Sequence, residues 1–330
     1  MKGSTVARLL ALLVLGGVLG GACVASSTVR AAPFPDRPIR WIVPYPPGGT
    51  TDIIARNVAQ AISQAHGYTI VVDNRAGAGG QIAMNAVAQA APDGYTLLVS
   101  DASLATAPSL YKQLSFDPIK DLQAVALFAT VPHIVVVNPA VQANSLGELI
   151  ALSKKAAGEL NFGSGGVGSP LHLAGEALRV ESGIAWTHIP YKGAGPAILA
   201  ATSGEVQIAT PSLPAALSLV QAGKLRALSV MSPKRLATLP DVPTVAEAGY
   251  PKATVLGWVG LHAPAGTPVD VLGTLEAAAG KALQGSDLRE RLAMQGADVA
   301  AVSGAGYGKL VLDEAGRWKE IVRAAGIPAQ

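Results

Sequence analysis

The sequence contains a single cysteine, Cys23, so no disulfide can form within the chain. Aromatic residues make up 5% of it and charged residues 14%, while half of the residues are apolar. This apolar excess excludes a disordered polar chain. A core of small aliphatic residues instead favours helices layered on buried parallel strands.

The longest apolar segment lies at the N-terminus. Residues 9–19 are apolar and follow Lys2 and Arg8, which is the pattern of a secretory signal peptide. The segment is shorter than the roughly 20 residues that a membrane-spanning helix needs. We predict a signal peptide over residues 1–31, cleaved near residue 25 or 31, and export to the periplasm.

Two alternatives concern the processing of this N-terminus, which are an uncleaved membrane anchor and lipid modification of Cys23. Small residues precede Cys23, but the branched apolar residue usually found three positions before a lipidated cysteine is lacking.

Cleavage after residue 31 would remove three basic residues and no acid, leaving 22 basic and 22 acidic residues. Such a neutral chain argues against nucleic-acid binding, which depends on basic patches.

Strand-like and helical segments alternate through the remaining sequence. Strands are predicted at 39–43, 69–72, 95–99, 133–137, 160–162, 186–190, 205–209 and 225–230. Helices are predicted from residue 50 or 51 to 66, at 83–91, 169–180, 196–202 and 215–223, from Ser145, from Pro268 and at the C-terminus. The alternation predicts two α/β domains. Domain 1 is predicted at 32–132 plus 232–330 and domain 2 at 133–231, with crossing strands at 133–137 and 225–230.

Two glycine-rich loops, each between a predicted strand and helix, are candidates for a ligand site. Loop 1 is residues 45–52 and loop 2 is residues 163–170. A helix N-terminus offers unpaired N–H groups and a partial positive charge, so it binds an anion without Lys or Arg. Two such loops facing each other across a cleft would hold one carboxylate from both sides. Either loop taken alone is better explained as a tight turn.

Other binding chemistries find little support. The five histidines show no paired ligand spacing, so we expect no metal site. Gly163, Gly165 and Gly168 match a dinucleotide motif, but the next predicted strand has no acidic residue at its end. We therefore expect no cofactor.

Catalysis is the main alternative to binding. The chain has no reactive cysteine and no Gly-x-Ser-x-Gly elbow, so we expect no enzyme. An exported hydrolase using Ser169 or Ser103 remains open, because Ser-His-Asp geometry is invisible in sequence. His172 and Tyr191 are candidates to line a cleft, although a packed structural role explains each about as well.

In their order, these segments resemble the Bug family of periplasmic solute-binding proteins, which serve tripartite tricarboxylate transporters. The resemblance runs from about Phe34 to Ile327. It is carried by residues 43–49, 74–80, 91–96, 172–176, 190–193, 222–228, 239–244 and 263–268. It implies a type II periplasmic-binding-protein (Venus-flytrap) fold that holds a small carboxylate between two α/β domains and delivers it to a membrane permease. A ligand sensor used only for signalling is the alternative.

The resemblance also implies which residues bind the ligand, through main-chain amides, hydroxyls and bridging waters. In loop 1 they are Tyr45, Gly48, Gly49, Thr51 and Asp52, and in loop 2 they are Ser164, Gly166, Val167, Gly168 and Ser169. His172, Tyr191 and Pro211 complete the predicted site. Many family members carry an Asp where Pro211 stands here, so we expect a ligand without an amino group. We expect the protein to be a monomer.

Overall fold

The computed structural model describes residues 34–155 and 159–329. The described residues form one compact unit. The predicted signal peptide, both cleavage positions and Cys23 lie outside the described residues. Within the described ranges, no helix combines the length and the apolar character that crossing a bilayer requires.

The described residues contain eleven strands and ten α-helices. The strands are β1 (Ile39–Val43), β2 (Ile70–Asn74), β3 (Thr96–Asp101), β4 (Leu122–Pro132), β5 (Ile134–Val137), β6 (Asn161–Ser164), β7 (Thr187–Pro190), β8 (Ile208–Ala209), β9 (Arg226–Val230), β10 (Leu256–Pro264) and β11 (Asp298–Ser303). The helices are α1 (Thr50–His66), α2 (Gln81–Ala88), α3 (Ser103–Leu110), α4 (Leu146–Lys155), α5 (Pro170–Ser182), α6 (Ala194–Ser203), α7 (Leu213–Gln221), α8 (Val269–Leu283), α9 (Ser286–Met294) and α10 (Gly304–Ala325).

Sheet 1 has six strands in the order β11-β4-β10-β3-β1-β2. β1 pairs in parallel with both β2 and β3, so their carboxyl ends lie at the same edge. β10 is antiparallel to β3 and β4, so β4 runs toward that same edge. Loop 1 follows β1 and therefore begins at this edge.

Sheet 2 has five strands in the order β7-β6-β8-β5-β9. β6 is parallel to β7 and β8, whereas β5 is antiparallel to β8 and β9. Loop 2 follows β6. The predicted fold class is confirmed, because two sheets with flanking helices make a two-domain α/β fold.

The chain crosses between the sheets at His133, which alone separates β4 in sheet 1 from β5 in sheet 2. It returns through residues 231–255. Here the Met231 amide donates to the His133 carbonyl at 2.8 Å, and the Val255 amide donates to the Met231 carbonyl at 2.8 Å. The two predicted crossing strands, 133–137 and 225–230, correspond to β5 and β9, which both belong to sheet 2. In sheet 1, β4 precedes the first crossing and β10 follows the second. The domain boundaries at residues 133 and 231 stay a prediction.

Three antiparallel strands, β4, β10 and β11, were not foreseen in the sequence pattern. The residues of β4 form a mainly apolar run, which is ambiguous between strand and helix. In β10, a Cβ on Gly260 would lie 2.5 Å from the Tyr307 ring and 2.7 Å from the Ala126 carbonyl oxygen. Glycine at this position reflects a close approach of neighbours, which only tertiary structure reveals.

The helices that flank the domains bury apolar side chains. Ile54, Val58 and Ile62 of α1 are buried against sheet 1. Trp318 and Val322 of α10 are buried as well, and their helix packs against both α3 and α5. The C-terminal helix therefore contacts helices that follow strands of both sheets.

Candidate functional site

Loop 1 leads directly into α1, whose start carries no side-chain cap. The N-cap residue is Gly49, with extended backbone angles (φ −77°, ψ 163°). The first amides of a helix have no intrahelical acceptor, and glycine offers none from its side chain. The amides of Gly49, Thr50 and Thr51 therefore remain available for an external acceptor.

Asp52 holds loop 1 in this conformation. Its Oδ2 accepts from the Gly48 amide at 2.9 Å, and its Oδ1 accepts from Asn74 Nδ2 at 2.9 Å and Arg56 Nε at 3.0 Å. Burial acts to raise the pKa of the Asp52 carboxyl, but the hydrogen bonds from Arg56, Gly48 and Asn74 outweigh it and keep that pKa below its ordinary value. Asp52 thus organises the loop from inside, and the Gly48 amide is already engaged.

Tyr45 and Thr51 meet at a carboxylate that the sequence analysis overlooked. Asp101, at the end of β3, accepts from Tyr45 Oη and from Thr51 Oγ1, each at 3.2 Å, and from Ser103 Oγ at 2.5 Å. We call Tyr45, Thr51 and Ser103 the hydroxyl cluster. Burial raises the pKa of Asp101 and, together with Asp101, raises the pKa of Tyr45 well above its usual value.

The only available signal for Asp101 was its place at a strand end on the same edge as loop 1. The sequence pattern predicts that strand to end at residue 99, whereas β3 runs through Asp101.

Three side-chain contacts hold loop 2 in its conformation. Ser164 Oγ accepts from the Gly166 amide at 3.2 Å and lies 2.6 Å from His188 Nε2. The Gly168 amide donates to His172 Nδ1 at 3.0 Å. The amides of Gly166 and Gly168 are therefore engaged, whereas those of Gly165 and Val167 have no hydrogen-bond partner among residues 34–155 and 159–329.

Helix α5 begins at loop 2 with a side-chain cap. Ser169 is its N-cap and accepts from the His172 amide at 3.3 Å, and Pro170 occupies the first helical turn. This start is therefore more fully satisfied than that of α1.

His172 packs beneath loop 2 as a buried side chain of α5. Its side chain is buried, and its ring stacks on that of His188 with centroids 4.1 Å apart. Burial, followed by the nearby His188 and Arg179, lowers the pKa of His172 to about 3. The imidazole is therefore neutral, and its Nδ1 can serve as an acceptor for the Gly168 amide.

Tyr191 and Pro211 are each engaged by their own domain. Tyr191 Oη donates to Glu205 at 2.7 Å, and burial together with that carboxylate raises the pKa of Tyr191 to about 12. Pro211 is buried, and its carbonyl accepts from the Ile134 amide at 3.0 Å.

The two loops meet the opposite domain across the boundary between the sheets. Thr50 Oγ1, in loop 1, lies 3.2 Å from Ser212 Oγ, which follows β8. On the other side, a Cβ on Gly168 of loop 2 would lie 2.7 Å from Leu110 Cδ1 in α3.

A cavity of about 10 Å³ lies at the same boundary. It is lined by Ser103 and Thr106 of α3, by Pro170 and Leu173 of α5, and by His133 at the crossing, among other residues. Both helix starts that follow the candidate loops thus lie close to the interdomain boundary.

The catalytic alternative gains no support from the serine contacts. Ser103 Oγ donates to Asp101, and Ser169 Oγ accepts from a main-chain amide. Ser164 does contact His188, but its side chain is fully buried, whereas a nucleophile must reach its substrate. Among residues 34–155 and 159–329, no three His, Cys, Asp or Glu side chains are grouped as a metal site requires.

Comparison with known proteins identifies relatives along nearly the whole chain. Residues 54–327 match the model of the tripartite tricarboxylate transporter family receptor. The chain is 38% identical to Protein BugT of Bordetella pertussis over 317 residues, which cover 96% of this chain and 97% of that protein.

Solved structures agree in fold over most of the chain. Periplasmic binding protein BugD has a TM-score of 0.82 and 34% identity, covering 90% of this chain and all of that one. An R. palustris protein solved with adipate has a TM-score of 0.84 and 32% identity, with coverage of 90% and 100%. MatC from Rhodopseudomonas palustris with bound malate has a TM-score of 0.79 and 33% identity, with coverage of 88% and 100%.

Proposed function

Because this chain belongs to the tripartite tricarboxylate transporter receptor family, we propose that it captures a small organic carboxylate between its two domains and hands it to a membrane permease. The family relationship makes it a solute-binding protein. The carboxylate, the site residues and the permease partner are the parts that we propose. Adipate and malate, bound by two relatives, support this ligand class.

The observation that carries the proposal is the uncapped start of α1 at the interdomain boundary. Gly49 provides no cap, and the nearest acidic groups, Asp52 and Asp101, already accept other donors. A carboxylate placed here accepts from the amides of Gly49, Thr50 and Thr51 at the positive end of the helix dipole. In this proposal the free amides of loop 2 approach the same carboxylate from the second domain.

Binding is coupled to domain closure in this proposal. The chain passes between the sheets at His133 and through residues 231–255, and a hinge at these two connections lets the domains move apart. A ligand that contacts both loops stabilises the closed form, and the interdomain contact of Thr50 with Ser212 adds to it.

Export and processing complete the proposal. The signal peptide is removed near residue 25 or 31, so the mature chain works in the periplasm as a binding protein rather than an enzyme. Intact-mass measurement of the protein purified from the periplasm reports the cleavage position directly. A mass that retains residues 1–31 would contradict this processing.

The ligand test is a thermal-shift panel followed by calorimetry on the mature protein. We expect small carboxylates to raise the melting temperature and to bind with one site per chain and no turnover, because a ligand that binds only the folded state stabilises it. Amino acids are expected to give smaller shifts than the corresponding acids without an amino group. A panel in which no carboxylate shifts the transition would contradict the proposed function.

Two variants of Gly49 test the main-chain contact itself. Gly49→Pro removes the amide hydrogen while keeping φ near −65°, close to the observed −77°. Gly49→Ala retains the amide, and its Cβ would have only one neighbour, the Pro46 oxygen at 3.7 Å. We expect Gly49→Pro to weaken carboxylate binding about 10- to 100-fold, the range for a hydrogen bond to a charged group, and Gly49→Ala to bind as the native chain does. Equal affinity in both variants would show that this amide does not bind the ligand.

A further inference from the structure

We propose that Asp101 is a positioning residue that turns the hydroxyl cluster on the first-domain wall of the cleft into a hydrogen-bond acceptor, so that the preferred ligand is a carboxylate that also carries a hydroxyl group. This inference rests on the proposed function and specifies its ligand class. It follows from the direction of the hydrogen bonds in the hydroxyl cluster.

Four donors converge on the Asp101 carboxylate. Its Oδ1 accepts from Tyr45 Oη at 3.2 Å, from the Ser103 amide at 2.9 Å and from Ser103 Oγ at 2.5 Å. Its Oδ2 accepts from Thr51 Oγ1 at 3.2 Å. An ionised carboxylate has only acceptor sites, so each of these four groups must be the donor, which fixes the direction of each bond.

The direction of these bonds determines what the three hydroxyls can offer a ligand. Each hydroxyl has one hydrogen, and in Tyr45, Thr51 and Ser103 that hydrogen points at Asp101. Only their lone pairs are left for other partners. Ser103 lines the cavity at the interdomain boundary, and Tyr45 is partly exposed. A group that meets the hydroxyl cluster must therefore donate a hydrogen bond, as a hydroxyl does and a carboxylate does not.

The opposite wall has the complementary character. Loop 2 offers the free amides of Gly165 and Val167, and residues 163–170 contain no acidic side chain. The nearest acid of α5, Glu176, is buried and paired with Arg179 at 2.6 Å. A hydroxy acid fits both walls at once, since its carboxylate accepts from amides while its hydroxyl donates to the hydroxyl cluster.

Matched pairs of acids that differ by one hydroxyl test this inference by calorimetry. The probes are propionate with lactate, succinate with malate, and glutarate with 2-hydroxyglutarate. We expect the hydroxylated member of the best-binding pair to bind at least about tenfold more tightly, which is about 1.4 kcal/mol. Equal or tighter binding of the plain acid in the native protein would overturn the inference while leaving the proposed function intact.

Asp101→Asn separates positioning from a general structural role. The asparagine amide donates to one of the hydroxyls, which frees a hydroxyl hydrogen for the ligand. The affinity for the hydroxy acid divided by the affinity for the plain acid is therefore expected to fall toward one. A merely structural loss would weaken both members equally and keep the ratio, which would overturn the inference.

Two further variants keep the test decisive. Tyr45→Phe removes one acceptor hydroxyl and leaves Asp101 in place. It is expected to lower the preference for the hydroxy acid over the plain acid, and it replaces Asp101→Asn as the test if that variant does not fold. Asp117→Asn is the matched control, because Asp117 accepts from the amides of Ile119 and Lys120 in an exposed turn. Its ratio is expected to equal that of the native chain. If no acid of either kind binds, the proposed function fails together with this inference.

Discussion

Single residues decide the conformation of loop 1, and Asp52 does most to set it. Its side chain is 3% exposed yet accepts from a main-chain amide, an asparagine and an arginine. Sequence similarity implies that Asp52 contacts the ligand. Its geometry instead supports an indirect role, in which Asp52 holds the Gly48–Gly49 turn and leaves the amides of Gly49, Thr50 and Thr51 free for the ligand.

We expect Asp52→Asn to reduce both stability and carboxylate affinity. The substitution removes the charge that Arg56 pairs with at 2.9 Å and places an amide donor opposite Asn74. The loss of unfolding free energy is expected to be about 1–3 kcal/mol, as for a buried hydrogen bond to a charged group. Urea denaturation measures stability, and calorimetry with the best carboxylate measures affinity.

Asp287→Asn is the control for that experiment. Asp287 also pairs with an arginine four residues on, Arg291, but its side chain is 74% exposed. Exposed pairs contribute little, so the change in stability is expected to stay within about 0.5 kcal/mol. Equal losses in the two variants would contradict the role given to Asp52.

At the scale of secondary-structure elements, the site depends on how two strand–helix connections meet. Helix α1 starts uncapped, whereas Ser169 caps α5. The sequence predicted both connections correctly, because glycine runs between a strand and a helix mark such turns. It did not predict that α3 would lie between them, and α3 brings Ser103 to the boundary and Leu110 against Gly168.

We expect Gly168→Ala to impair domain closure. Gly168 has φ +77°, and its added Cβ would meet Leu110 Cδ1 at 2.7 Å. The left-handed backbone costs alanine about 1–2 kcal/mol, and crowding between α3 and loop 2 adds a cost that falls on the closed form. Carboxylate affinity is therefore expected to fall about tenfold or more, as measured by calorimetry.

Gly183→Ala is the control for the cost of placing alanine in a left-handed backbone conformation. Gly183 ends α5 with φ +65° and has open space around a Cβ. It is expected to lose similar stability in denaturation and to keep native affinity. The crowding argument fails if both variants bind alike.

At the scale of the whole molecule, buried neutral histidines make stability depend on pH. Burial lowers the pKa of His172 and of His262 to about 3, with His188 and Arg179 adding to the effect at His172. Between pH 6.5 and 3 the unfolded chain binds protons at these positions that the folded chain does not. The free energy of unfolding must therefore fall as the pH falls through this window.

We expect a slope of at most about 1.4 kcal/mol per pH unit for each of these histidines. Urea denaturation between pH 7 and pH 5 measures the slope in a range where few carboxylates titrate. His172→Gln removes the proton-binding group and keeps an acceptor for Gly168, so its slope is expected to be shallower. An unchanged slope would show that His172 does not contribute.

The sequence by itself determined the alternation of strands and helices, the positions of both glycine loops and the family, because periodicity and turn residues are local properties of the chain. Tertiary structure alone decided which amides remain free and where the hydroxyls point. Asp101 meets Tyr45 across 56 positions, and Thr50 meets Ser212 across 162. Such contacts depend on which strands become neighbours and which helices pack between them, and the antiparallel strands β4 and β10 that settle this carry no distinctive local pattern.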